Sequence, residues 1–148
     1  MTDELFAGIS IGDRLRTGSF TVTADLSLGF ARLYDPQPMH LDEAAGQASL
    51  FGTLVTSGWQ TMAITMRLVV EARLLGGAPL IGVTLDQARF LRPVKPGDEL
   101  RAETEVVALT PSRLRPDRGT AQIRVTTLNQ KDMPVLEQLW TMLVLAPA

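Results

Sequence analysis

GWQTMAITMRLVVEARLL, residues Gly58 to Leu75, is the stretch on which the fold turns. Trp59, Met62, Ala63, Ile64, Met66, Leu68, Val69, Val70, Ala72, Leu74 and Leu75 cover most of a helical circumference, and only Gln60, Arg67 and Glu71 form a polar stripe. A helix that is apolar over most of its surface has to be surrounded by other structure. Arg67, Glu71 and Arg73 make it a poor membrane span, and Gly76-Gly77 is the expected stop.

The surroundings are supplied downstream by four β-like segments. Leu80 to Phe90 is β-rich, with a change of parity near Asp86 and Gln87 that reads as a bulge. Pro96-Gly97-Asp98 is a turn signal. Leu100, Ala102, Thr104, Val106 and Ala108 then alternate with Arg101, Glu103 and Glu105, as a half-covered antiparallel strand does. Ala121, Ile123 and Val125 repeat that pattern. Asn129 to Asp132 turns the chain into Val135–Leu145, apolar on both faces and therefore expected to be central. No repeat or linker divides residues 1–148, so the expectation is one α+β domain, an antiparallel sheet wrapped around one long buried helix.

Upstream, Ser19 to Thr23 reads as a short strand. Thr23 is a helix cap for a short amphipathic helix with Leu26, Phe30 and Leu33 on its apolar face, and Asp42 caps another through Ala45. Between these helices lies the only histidine of the 148 residues, His40, five positions after Asp35. That spacing is about 140° off-face on a helix and puts the two side chains on opposite faces of a strand. Only a bent loop brings them together, and Pro36 and Pro38 around Gln37 favour such a bend.

Net charge is -2 and the sequence pI about 5.4, which gives no field to gather nucleic acid or an anionic membrane. Cysteine is absent, which excludes disulfides and thiolate metal sites. Asp3 and Glu4 stand where an export leader carries positive charge, and Gly8 and Gly12 interrupt the apolar run, so a cytoplasmic location is expected. One histidine without cysteine leaves no metal site to assemble, and no phosphate-cradling glycine loop occurs.

Three blocks, Asp35-x-Gln37-Pro38-x-His40-x-Asp42, Phe51-Gly52-x-x-Val55-x-Ser57-Gly58-Trp59 and Phe90-x-Arg92-Pro93-Val94-x-Pro96-Gly97-Asp98, resemble the MaoC-like family of hotdog-fold enoyl-CoA hydratases and appear in family order. The resemblance is anchored from about Thr23 to Val106 and implies addition of water to trans-2-enoyl-CoA, or dehydration of (R)-3-hydroxyacyl-CoA. It implies that Asp35 and His40 form a dyad gripping one water and that the Gly58 N–H is the oxyanion donor, with no cofactor beyond the coenzyme A thioester that carries the substrate. A homodimer joined edge to edge through its sheets, or a higher oligomer, is also implied. Gln37 stands where the usual motif has asparagine and Ser57 where many relatives have histidine.

Each residue also has a plainer reading. Asp-Pro starts turns, a lone histidine satisfies loop carbonyls, and Gly58 can simply allow close packing. Ser57 is better placed as a helix N-cap than as a nucleophile, since no Gly-x-Ser-x-Gly elbow surrounds it. Val55, Trp59 and Met62 are candidate walls of an acyl site or ordinary core. Arg89 and Arg92, with Lys95, are candidate partners of the coenzyme phosphates, whereas Arg113, Arg115 and Arg118 read as a solvated loop. Two other functions compete: a hotdog thioesterase with Glu71 activating water, and a non-catalytic acyl-CoA-binding or dimerisation subunit.

Overall fold

The computed structural model describes residues 5–147; Asp3 and Glu4, on which the expectation about export rested, lie outside them. The chain runs β1 (Arg14–Thr21), α1 (Ala24–Tyr34), α2 (Pro38–Leu41), α3 (Glu43–Ala48), α4 (Gly58–Glu71), a short 3-10 turn (Leu74–Gly77), then β2 (Ile81–Phe90), β3 (Glu99–Pro111), β4 (Arg118–Leu128) and β5 (Pro134–Leu145). The five strands form one antiparallel sheet in the order β1-β3-β4-β5-β2. This is the expected sequence of elements and the expected α+β layer.

The core lies between α4 and one face of the sheet. Ala102 and Val106 of β3, Ala121, Ile123 and Val125 of β4, and Trp140 and Met142 of β5 are buried with Val69 of α4 in one apolar cluster. Leu100, Val135 and Leu136 close a second with Ile64, Leu68 and Val22. The alternation read from β3 and β4 places the intended side chains inward as far as Val106; a register shift between Val106 and Ala108 then brings Leu109, in place of the expected Ala108, against the core. The parity change in β2 is a bulge: its register against β5 shifts between Asp86 and Arg89, and Gln87 has φ +52°. The Lys95–Asp98 turn is closed by the Asp98 N–H on the Lys95 carbonyl and carries Gly97 at φ +98°.

Four expectations need correction. The first strand begins at Arg14, because Arg14 and Arg16 pair with Glu105 and Glu103 across the sheet, a pairing that the apolar pattern does not reveal. On α1 the buried residues are Ser27 and Ala31, while Leu26 and Leu33 are exposed. Small side chains let α1 approach the chain before α4, where the Ser27 and Thr56 hydroxyls bond at 2.9 Å. The long helix ends at Glu71, as Arg73 takes the left-handed conformation ahead of the two glycines, and Trp59 and Val70 are exposed. One face of α4 is buried instead of the whole circumference. Finally, β4 is the middle strand; β5 is paired on both sides, one place from the β2 edge.

Candidate active site

The five-residue gap between Asp35 and His40 is closed by backbone turns that the two prolines set. Asp35 caps the end of α1, its N–H donating to the Ala31 carbonyl. The Gln37 N–H donates to the Asp35 carbonyl at 2.8 Å, a γ-turn centred on Pro36. Pro38 then opens the single turn of α2, where its missing N–H costs nothing, and the His40 N–H donates to the Gln37 carbonyl. The result puts His40 Nε2 3.3 Å from Asp35 Oδ2.

His40 is buried, and its Nδ1 lies 2.8 Å from the Val55 carbonyl oxygen. A carbonyl only accepts, so Nδ1 carries a proton and Nε2 is the ring nitrogen that faces Asp35. The Val55 N–H in turn donates to the Met39 carbonyl, which locks the two loops together. Gly46 permits this approach: a Cβ there would meet the Leu54 nitrogen at 2.5 Å.

Asp35 is held at both oxygens. The Ser57 hydroxyl donates to Oδ2 at 2.6 Å and the Gln37 amide to Oδ1 at 2.7 Å. Burial works to raise the Asp35 pKa, but the bonds from Ser57 and then Gln37, with the charge of His40, outweigh it and hold the carboxyl below its ordinary value. Ser57 is also the N-cap of α4, its Oγ accepting from the Trp59 N–H at 3.3 Å. The N-cap expectation thus holds, and the same hydroxyl ties the helix start to Asp35 across 22 residues. Nothing in the spacing announced that bond.

Gly58 follows as the first residue of α4. Its N–H makes no hydrogen bond among the described residues, which leaves a donor with the positive end of the helix dipole behind it. Packing is close here as well, because a Cβ on Gly58 would meet Phe90 Cε1 at 2.6 Å. The close-packing reading of this glycine is therefore met.

These groups share a cavity of about 400 Å³ whose wall includes Asp35, Gln37, His40, Val55, Gly58 and Trp59. Its far side is the third sequence block, Phe90 to Val94, held there by the Thr56 N–H on the Val94 carbonyl and the Leu91 N–H on the Val135 carbonyl. Arg92 lines the same cavity and donates to the Pro134 carbonyl. Three of the residues named from sequence are not in the wall. Ser57 is fully buried behind Asp35, Met62 packs against the core, and Arg89 lines a separate depression with Arg124 and Glu137. Arg89 is displaced because neighbours on a strand point to opposite faces, and Phe90 takes the cavity side. Met39, Thr56, Thr61 and Val135 are in the wall and were not singled out. Their signal was weak because each reads as ordinary core or loop.

A five-stranded antiparallel sheet laid on one helix, with an Asp–His pair at that helix's N-terminus, defines a hotdog-fold protein. The chain belongs to the MaoC-like domain family, whose model, MaoC like domain, matches residues 7–129. It is 34% identical over 128 residues to the uncharacterized protein YdeM of Bacillus subtilis, covering 86% of this chain and 89% of that protein. Among solved structures it resembles a MaoC-like dehydratase from Rhodospirillum rubrum, with a TM-score of 0.87, 42% identity and 95% of each chain covered. It also resembles an (R)-hydratase from A. caviae involved in PHA biosynthesis, with a TM-score of 0.74, 26% identity, and 95% of this chain and 99% of that one covered. Among the described residues no helix is long and apolar enough to cross a membrane.

Proposed function

We infer that this protein is a hydro-lyase that adds water to trans-2-enoyl-CoA and, in reverse, dehydrates (R)-3-hydroxyacyl-CoA. The observation that carries this reading is one cavity bounded by the Asp35–His40 pair and the unbonded Gly58 N–H. In the hydration direction a water donates to His40 Nε2 and to Asp35. Its oxygen attacks Cβ as Nε2 takes the proton, and the electron pair of the C=C bond moves to the thioester oxygen. The Gly58 N–H receives that charge. The imidazolium, stabilised by ionised Asp35, then returns a proton to Cα, so one water is added and no redox partner is needed.

Val55 fixes the tautomer this step requires, and Gln37 and Ser57 fix the carboxylate. Arg92 is the cavity-lining cation and takes the role of a coenzyme phosphate contact. The R. rubrum dehydratase and the A. caviae (R)-hydratase that the chain resembles support this class of reaction. The thioesterase reading draws no support from geometry: Glu71 is exposed, bonded to Arg67, and about 20 Å along α4 from Gly58.

The test follows loss of conjugated enoyl-thioester absorbance without release of free thiol. Asp35→Asn and His40→Ala should each lower kcat about 10²- to 10⁴-fold while leaving the circular dichroism spectrum unchanged. Equal turnover by either variant, or thiol release by wild type, would remove the reading.

A further inference from the structure

Thr56 stands between the two residues that hold the Asp35–His40 pair. The planar peptide unit joining it to Val55 accepts from His40 Nδ1 at 2.8 Å through its carbonyl and donates to the Val94 carbonyl at 2.7 Å through its N–H. Because the unit is rigid, the two bonds turn together. One residue on, the Ser57 hydroxyl donates to Asp35 Oδ2 at 2.6 Å. A single extended segment, residues 55–57, therefore orients both His40 and Asp35.

The Thr56 side chain ties that segment to α1. Its hydroxyl bonds the Ser27 hydroxyl at 2.9 Å across 29 residues of sequence, and both residues are buried. Ser27 lies on α1, whose C-terminal cap is Asp35, eight residues or about 12 Å further along the helix. Helix α1 thus carries one member of the pair and, through Ser27, fixes the segment that holds the other. Ser27 is not in the cavity wall, so any effect it has on the reaction passes through Thr56.

We propose that Ser27 and Thr56 are positioning residues: their bond sets where the Val55 carbonyl and the Ser57 hydroxyl stand, and so the separation of His40 Nε2 and Asp35 across which water is held. A misplacement of about 1 Å at a reacting group can cost roughly 10²-fold in rate. Gln60 supplies a separate tie, its Nε2 donating to the Leu26 carbonyl at 2.9 Å, so α1 stays docked when the hydroxyl pair is removed. The catalytic consequence rests on the hydration reading, but the placement of His40 is read without substrate.

Four variants separate positioning from packing. Ser27→Ala leaves the Thr56 hydroxyl buried without its partner and should melt below wild type, whereas Ser27→Ala with Thr56→Val removes both hydroxyls and should regain most of that loss. Turnover should not follow stability: kcat for enoyl-thioester hydration should fall about 10- to 100-fold in both, with KM unchanged. Thr56→Ser, which keeps the hydroxyl, should lose less kcat than Thr56→Val, which keeps the shape. His40 is the chain's only histidine, so a single set of imidazole signals reports on it. Its Nδ1–H, bonded to Val55, should give a slowly exchanging downfield proton resonance in wild type that is shifted or lost in the double variant. Recovery of kcat together with melting temperature in the double variant, wild-type kcat in Ser27→Ala, Thr56→Val as active as Thr56→Ser, or an unmoved Nδ1–H resonance would each overturn the proposal. If wild type hydrates no enoyl thioester while the resonance moves as expected, the hydration reading falls and the positioning of His40 stands.

Discussion

Gln37 and Ser57 are the two positions at which the motif departs from its usual residues, and both end on the same carboxylate. Their donors hold Asp35 below its ordinary pKa, so Asp35 is a carboxylate across the neutral range, and under the proposed hydration its protonation should set the acid limit of activity. Ser57→Ala removes the donor with the larger effect and should move the acid limb of the kcat/KM profile to higher pH, while Ser57→Thr, which keeps the hydroxyl, should not. The sign for stability follows from linkage. A carboxyl depressed in the folded state stabilises the fold above its unfolded pKa, and that contribution is lost as pH falls through the folded value. Acid denaturation of Ser57→Ala should therefore show less loss between those two values than wild type. The sequence made Asp35, His40 and Gly58 legible because their spacing is local or motif-bound. It left the Ser57–Asp35 bond illegible because 22 residues and the placement of a whole helix intervene.

Helix α4 organises the site from its first turn. Ser57 caps it, Gly58 offers an N–H that is unbonded among the described residues, and Thr61 enters the cavity wall one turn on. Packing and oxyanion roles of Gly58 can be separated because Phe90 is the group a Cβ would strike. In a Phe90→Ala background, Gly58→Ala keeps the N–H and should keep most turnover. Gly58→Pro in that background deletes the N–H and should cost about 10²- to 10³-fold in kcat. Proline is well tolerated at a first helical position, and Ser57 already has the extended ψ of 133° that a following proline requires. Equal turnover in the two double variants would take the N–H out of the mechanism. The helix and its end signal were partly legible: its start at Gly58 follows from the Ser57 cap, but its end does not follow from Gly76-Gly77. Arg73 adopts a left-handed conformation with no compositional cue, and the chain has left the α-helix before the glycines arrive.

For the whole molecule, the order of strands leaves β2 on a free edge with all ten of its residues exposed, among them Ile81, Val83 and Leu85. A long edge strand carrying apolar side chains is a template for another strand, and natural folds seldom leave it bare. Pairing of β2 with its own copy about a twofold axis would join two five-stranded sheets and cover those side chains, an isologous interface that needs only one surface. Sedimentation should accordingly give a mass of about twice 16.1 kDa for wild type. In an antiparallel self-pairing centred on Thr84, residue 83 of one copy faces residue 85 of the other, so Val83→Lys with Leu85→Lys brings like charges together. That variant should sediment as a monomer with its circular dichroism retained, since both side chains are exposed in the single chain. A wild-type monomer at micromolar concentration, or a dimer indifferent to both lysines, would place any association elsewhere than β2. The edge was legible in the sequence only as a β-rich segment with a bulge. Its exposure was not, because a strand's side chains say whether a face is apolar, while the order of strands decides whether anything covers it.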